Sequence, residues 1–206
     1  MEQILELAHQ LGFSHKAQLN VLALEFRQEV RDMCAADRCM SYGRNWSCPP
    51  ACGTPEVCAQ KLGAYSKGVL VQTTGEMEDD FDAGAIERTY LGHKAAFDAL
   101  ARQTRSLHPD CLPLTAGACT LCRKCTCPDR PCRFPGKRLS SMEAYGLLVS
   151  DVCLKSGLEY NYGPKTITYT SCILFNCKGS FRYEGKGTFS GNAEAGGQAG
   201  AGAGAV

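Results

Sequence analysis

Several stretches of the chain carry apolar residues at three- and four-residue steps, which predicts amphipathic helices. One of these stretches has an apolar face formed by Leu19, Leu22, Phe26, Val30 and Met33. Thr54 and Pro55 predict another helix start, because threonine caps a helix well and proline suits the first helical position. Ser140 and Glu143 form a capping box, which predicts a helix from Ser140. The predicted helices are 3–12, 16–33, a segment from Thr54, 84–107 and a segment from Ser140.

Three further stretches have the alternation or the β-prone composition of strands. They are residues 68–74, 111–117 and 166–175. The last alternates most clearly, with one face formed by Ile167, Tyr169, Ser171, Ile173 and Phe175. Strands separated by helices predict an α/β fold, with a small sheet of about three or more strands layered with helices. Two cysteine-rich loops then lie at the edge of the sheet.

The cysteine-rich loops and a biased C-terminal segment divide the chain into three parts. Residues 1–33 are predicted N-terminal helices, and residues 34–190 are a predicted cysteine-rich, metal-binding α/β domain. In residues 191–206, twelve of sixteen residues are Gly or Ala. Such a segment buries too little apolar surface to offset its ordering entropy, so we expect a disordered tail.

Composition and charge exclude several classes of protein. The 206 residues carry a formal net charge of +1, with 44% apolar and 21% charged residues, which gives no reason to expect nucleic-acid binding. No apolar run reaches the length of a membrane span, and the N-terminus lacks the regions of a secretory signal. We therefore expect a cytoplasmic protein. Its fourteen cysteines are then metal ligands, reactive thiols or packing residues rather than disulfides.

The second cysteine loop, from Cys119 to Cys132, has the stronger metal signature. Cys119, Cys122 and Cys125 have the spacing C-x2-C-x2-C, which lets three thiolates reach three irons of one 4Fe–4S cluster. Cys132 is the candidate fourth ligand. Cys127 is an alternate, because it follows Cys125 too closely for both to bind. Four thiolates also suit a structural zinc, and a C-x2-C pair also occurs in redox dithiols.

The first cysteine loop begins at Cys34 and contains Cys39, Cys48 and Cys52. Two prolines after Cys48 stiffen the loop, because each fixes its own backbone φ, and rigid thiolates suit a metal site. The loop supplies either four metal ligands or three. Three would leave one metal position for water, a substrate or another residue. Iron–sulfur, zinc and buried thiols all remain open here. Cys58 lies in a predicted helix and is expected in the core.

Motifs from both loops and from the helices between them occur in a fixed order. They are Cys34, Cys39, Tyr42–Pro50, Gly92–Phe97, Gly117–Cys122, Cys132–Pro135 and Ser141–Gly146. This pattern resembles the predicted metal-binding proteins grouped as domain of unknown function 2284. The resemblance implies a small cysteine-rich protein that holds metal or iron–sulfur centres, and it supplies no reaction. Cys52 lies outside the family pattern, which favours three cysteines at the first site. Leu139 and Ser140 stand where the family pattern more usually has a basic residue and a proline.

A few residues outside these motifs are also candidates. His93 is a hydrogen-bonded core residue, a fourth ligand of the first site or a proton relay. Basic residues around the second loop would offset the charge of a thiolate cluster, and they would suit an acidic redox partner. The candidate docking residues are Arg123, Lys124, Arg130 and Arg133. The isolated cysteines, which we expect to pack in the core, are Cys111, Cys153, Cys172 and Cys177.

The sequence thus predicts a metal-binding, iron–sulfur protein that acts in electron transfer or as a small redox protein. One alternative is an enzyme whose first site keeps an open coordination position for sulfur or another small substrate. The other is a zinc-stabilised interaction module. No phosphate-binding loop, nucleotide fingerprint or hydrolase triad occurs, so the sequence does not decide whether a reaction is catalysed.

Overall fold

The computed structural model describes residues 1–176, and it confirms the predicted α/β fold in that part of the chain. The α-helices are α1 (Glu2–Gln10), α2 (Gln28–Ala35), α3 (Pro55–Gly63), α4 (Ala83–Leu107) and α5 (Val149–Lys155). The strands are β1 (His15–Gln18), β2 (Lys67–Glu76), β3 (Leu112–Thr115), β4 (Ser140–Ser141) and β5 (Thr166–Phe175). The predicted tail at 191–206 and Cys177 lie outside the described residues.

The five strands form one mixed sheet in the order β1-β2-β5-β3-β4. β3 and β4 are parallel, and the other neighbours are antiparallel. In the central pair, Val69 lies opposite Ile173 and Leu70 lies opposite Cys172. Val69 and Ile173 are buried with residues of α1 and α4, whereas Leu70 and Cys172 are buried with residues of α3 and α5. The sheet is therefore covered on both faces, and the predicted alternation of β5 is confirmed.

Local sequence signals explain where two of the predicted helices begin. Thr54 Oγ1 accepts a hydrogen bond from the backbone N of Val57 at 3.4 Å, and Pro55 is the first residue of α3. Asp82 caps α4, because its Oδ1 accepts a hydrogen bond from the backbone N of Ala85 at 2.9 Å. Side-chain caps of this kind satisfy backbone donors that have no partner within the helix.

The predicted helix over residues 16–33 is wrong. The first part of this segment pairs with β2 as strand β1, and α2 begins only at Gln28. Leu19 is buried against Gly68, and its backbone N donates to the carbonyl of Gly68 at 2.9 Å. Leu22 and Met33, which the helical pattern placed on one apolar face, are 96% and 70% exposed. The first part of this segment has apolar residues at helical spacing, but pairing with β2 decides its backbone conformation instead.

The predicted helix from Ser140 is also wrong. Ser140 lies in β4, opposite Leu114 of β3, and so keeps an extended backbone. The hydroxyl of Ser141 accepts the hydrogen bond from the backbone N of Ala144, at 3.1 Å. The segment 143–145 forms a single 3-10 turn, which ends at Gly146 with φ of 73°. Glycine adopts this left-handed conformation without steric cost, so the turn stops there.

The two cysteine loops meet on one side of this framework. The first loop joins α2 to α3, and the second joins β3 to β4. The 3-10 turn at 143–145 contacts α2, α3 and β4, so it brings the ends of both loops together. Among residues 1–176, we find no helix with the length and apolar character needed to cross a membrane.

Candidate metal centres

Four cysteines of the second cysteine loop line a single small cavity, which has a volume of about 10 Å³. They are Cys119, Cys122, Cys125 and Cys132. The other lining residues are apolar, basic or neutral polar, and they are Asn45, Trp46, Leu121, Thr126, Arg133, Phe134 and Arg138. The indole of Trp46 donates a hydrogen bond to the carbonyl of Arg130 at 3.0 Å, so a residue of the first loop forms part of the lining of the second loop's cavity. No carboxylate lines the cavity.

Cys127, the alternate ligand in the sequence prediction, does not line this cavity. Its side chain is buried, and its Sγ donates to the carbonyl of Gly43 at 3.6 Å. This contact packs the second loop against the first. The structure thus gives Cys127 a position between the loops.

Three thiols of the first loop line a different pocket, which has a volume of about 350 Å³ and is open to solvent. They belong to Cys34, at the last turn of α2, and to Cys39 and Cys48. Met33 and Tyr42 give one wall of this pocket an apolar surface, and both side chains are exposed. The pocket is large enough for a small molecule beside the three thiols.

Cys52 does not line that pocket. Its Sγ donates to the carbonyl of Ala144 at 3.6 Å and lies 3.8 Å from Nη1 of Arg31. The same guanidinium nitrogen lies 3.5 Å from Sγ of Cys58. The neighbouring Cys52 thiol lowers the pKa of Cys58, and the Arg31 guanidinium adds to that shift, whereas the proximity of Cys58 and burial raise the pKa of Cys52. Cys52 thus belongs to a buried group of contacts with Arg31.

Asn45 and Ser47 join the two loops. Asn45 Nδ2 donates to the carbonyl of Cys119 at 3.0 Å, and the backbone N of Cys119 donates to Ser47 Oγ at 2.9 Å. Ser47 Oγ lies 3.7 Å from Sγ of Cys48. Both polar side chains are buried, and each makes hydrogen bonds within this junction. The hydroxyl of Ser47 therefore lies between the candidate ligands Cys48 and Cys119 and contacts both residues.

A model of the family described as "Predicted metal-binding protein (DUF2284)" matches residues 17–175, which is most of the chain. The protein belongs to this family. The match spans both cysteine loops and the turn at 143–145 that contacts the elements beside them. Searches of the curated proteins and of the solved structures give no match. Membership of DUF2284 therefore supports metal binding and leaves the metal and the reaction open.

The donor chemistry of this DUF2284 protein fits a metal that prefers sulfur. All thirteen cysteines within residues 1–176 are free thiols. Within those residues, no group of three or more His, Cys, Asp or Glu side chains is arranged to hold a single metal ion. Burial raises the pKa of Cys48 to about 11 and also raises the pKa of Cys34 and of Cys119. Metal binding at either loop must therefore displace protons from the thiols.

Lys94 is a buried cation beside both loops, and the sequence reasoning gave it no role. Only 9% of the residue is exposed, and its Nζ donates to the carbonyl of Ala118 at 3.0 Å. Burial lowers the pKa of Lys94, whereas Asp98 and the thiols of Cys119 and Cys48 oppose that shift. Lys94 lies three residues before the buried Phe97 on α4, and so on the same face of the helix. This helical spacing is the sequence signal that could have predicted the burial of Lys94.

His93, the neighbour of Lys94, is a hydrogen-bonded core histidine. Nδ1 lies 2.8 Å from Thr73 Oγ1, and Nε2 lies 2.7 Å from Ser171 Oγ. Burial lowers the pKa of His93 to about 3, so the ring is neutral at physiological pH. Both ring nitrogens are thus engaged away from the cysteine loops.

The basic residues of the second loop lie at the surface. Arg123, Lys124, Arg130 and Arg133 are all exposed. Leu121 and Phe134 lie nearby and are each 41% exposed. An exposed positive patch with apolar residues therefore surrounds the cavity of the second loop.

Proposed function

We propose that the protein is an iron–sulfur protein that transfers electrons, with a 4Fe–4S cluster held by Cys119, Cys122, Cys125 and Cys132. The observation that carries the proposal is the cavity lined by these four thiols and by no carboxylate. Thiolates are the usual ligands of such clusters, and the C-x2-C-x2-C spacing suits one. When bound, the cluster would supply a one-electron redox couple, and the loop would hold it beside Trp46 and Phe134.

The basic surface of the second loop supports a docking role in this proposal. Arg123, Lys124, Arg130 and Arg133 would attract an acidic redox partner and would offset the negative charge of a thiolate cluster. A partner bound at this patch would lie next to the cavity. Electron transfer with an acidic partner protein should therefore become slower as the salt concentration rises.

Anaerobic purification followed by iron, sulfide and zinc analysis tests the proposal. We expect about four irons and four sulfides for each cluster held, broad visible absorption and an EPR signal after reduction with dithionite. Cys125→Ser should remove the signal of the second loop. Cys127→Ser is the matched control, because Cys127 contacts Gly43 outside the cavity, and it should retain that signal. Colourless protein with one or two zincs and no sulfide would instead support the zinc-stabilised module.

A second candidate function is small-molecule chemistry at the first loop. The pocket of about 350 Å³ beside Cys34, Cys39 and Cys48 favours it. Three thiolates would leave one metal position open, because Cys52 contacts Arg31 and Ala144 instead. Cyanide, added to reduced protein, should then change an EPR signal that Cys39→Ser removes. An unchanged spectrum would argue for a closed centre that only carries electrons.

A further inference from the structure

Lys94 contacts a segment that adjoins both cysteine loops, and among the described residues it makes no ion pair with a carboxylate. Its Nζ donates to the carbonyls of Ala118, at 3.0 Å, and of Ala116, at 3.4 Å. Both carbonyls belong to the short segment that leads into Cys119. None of the ion pairs within residues 1–176 involves Lys94. The carbonyls therefore hold the ammonium group in position without neutralising it.

A buried ammonium group costs considerable free energy unless negative charge lies near it. Asp98, four residues further along α4, favours the charged form of Lys94 but makes no ion pair with it. Ala118, whose carbonyl accepts from Lys94, directly precedes Cys119 and also lines the pocket of Cys34, Cys39 and Cys48. Thiols become negative thiolates when they bind metal, so metal binding at either loop would add negative charge near Lys94. The exposed arginines of the second loop are screened by solvent, so each acts on a centre more weakly than a buried cation at the same distance.

We propose that Lys94 is a shared counter-charge that raises the reduction potential of the centres on both cysteine loops. This inference rests on the proposed function. Reduction adds one electron to a centre and makes it more negative, so a fixed positive charge stabilises the reduced form more than the oxidised form. The proposed effect is that of a charged Lys94 and involves no proton transfer. A single cation beside both loops would raise both potentials and leave the difference between them nearly unchanged.

Potentiometric titration with dithionite as the reductant, followed by EPR, measures this effect. Lys94→Gln removes the charge but keeps a donor for the Ala118 carbonyl, whereas Lys94→Arg keeps the charge. Lys16→Gln removes a charge from β1 and is the matched control. At a fixed potential, we expect Lys94→Gln to lower the ratio of reduced to oxidised centre about tenfold at both loops, as for a charge roughly 10 Å away at a dielectric constant of about 20.

A tenfold change corresponds to a shift of about 59 mV for a one-electron couple. Lys94→Arg and Lys16→Gln should keep the wild-type potentials. Unchanged potentials in Lys94→Gln would overturn the inference, and so would a shift confined to one loop or a first loop without a redox centre. If Lys94→Gln assembles no cluster, Lys94→Arg decides the outcome. A cluster in Lys94→Arg then supports a role for the charge of residue 94, and the lack of a cluster in Lys94→Arg overturns the inference. Wild-type protein without iron and sulfide would instead refute the proposed function itself.

Discussion

Replacing Cys52 with alanine separates a packing role from a ligand role in the first cysteine loop. The Cys52 thiol contacts Arg31 and the carbonyl of Ala144 and does not line the pocket of the other three thiols. If the first centre uses only Cys34, Cys39 and Cys48, it does not need this sulfur. We therefore expect Cys52→Ala to keep the wild-type metal content at both loops.

The substitution should instead lower the free energy of unfolding. It removes two weak hydrogen bonds of the Cys52 thiol, one accepted from Arg31 and one donated to the Ala144 carbonyl. Arg31 keeps its bonds to the carbonyls of Ala144, at 2.8 Å, and Gly53, at 3.0 Å. It also leaves Cys58 without its thiol partner beside Arg31. Two lost bonds at about 0.5 kcal/mol each and about 1 kcal/mol of lost packing give a decrease of about 2 kcal/mol.

Two measurements on the same variants check this prediction. Urea unfolding of metal-free protein gives the stability change, and metal and sulfide analysis of anaerobically purified protein gives the occupancy. Cys48→Ala is the matched control, because Cys48 lines the pocket, and it should lose the metal of the first loop. If Cys52→Ala lost as much metal as Cys48→Ala, Cys52 would be a ligand and the three-cysteine assignment would be refuted.

Three further substitutions test other parts of the structure. Gly146→Ala should destabilise the protein by about 2–3 kcal/mol in urea unfolding, because the φ of Gly146 is 73° and an added Cβ would lie 2.6 Å from the ring of Phe26. A variant as stable as the wild type would contradict this close approach. Ser47→Ala should cost about 1 kcal/mol, because it leaves the partly buried backbone N of Cys119 without its acceptor. Metal content should then fall at both loops, and a fall at one loop alone would disprove the link. His93→Gln should flatten the pH dependence of stability below neutrality. The pKa of His93 is about 3 in the folded protein and about 6.5 in the unfolded chain, so the unfolded state takes up a proton first as the pH falls. The stability of the wild type therefore falls by up to about 1.4 kcal/mol per pH unit from pH 6.5 towards pH 3. Equal slopes of stability against pH in the wild type and the variant would contradict this.

The elements that the sequence predicted well are those whose signals are local. α3 begins where Thr54 and Pro55 predict it, and β5 follows the alternation around Cys172. The errors arise where pairing with a distant segment decides the backbone. Residues 15–18 lie in β1 because β2 offers them hydrogen bonds, and Ser140 is extended because it pairs beside β3. Neither partner is visible in the local pattern.

The candidate sites show the same division between local and distant information. Spacing groups Cys119, Cys122 and Cys125, and the structure finds their thiols around one cavity. The spacing of the cysteines cannot exclude Cys52 from the ligands of the first loop, because the residue that it contacts, Arg31, lies on α2. The position of Lys94 beside both loops likewise depends on how α4 packs against the segment before Cys119.

The hydrogen bonds that join Asn45 and Ser47 to the backbone of Cys119 couple the ordering of the two cysteine loops. A loop that is already fixed by its metal holds these partners in place, so the other loop loses less conformational entropy when it binds metal. Loading of the two loops should therefore be cooperative. Partly loaded molecules would then be scarce at intermediate metal supply, and the protein would change from empty to full over a narrow range of metal concentration.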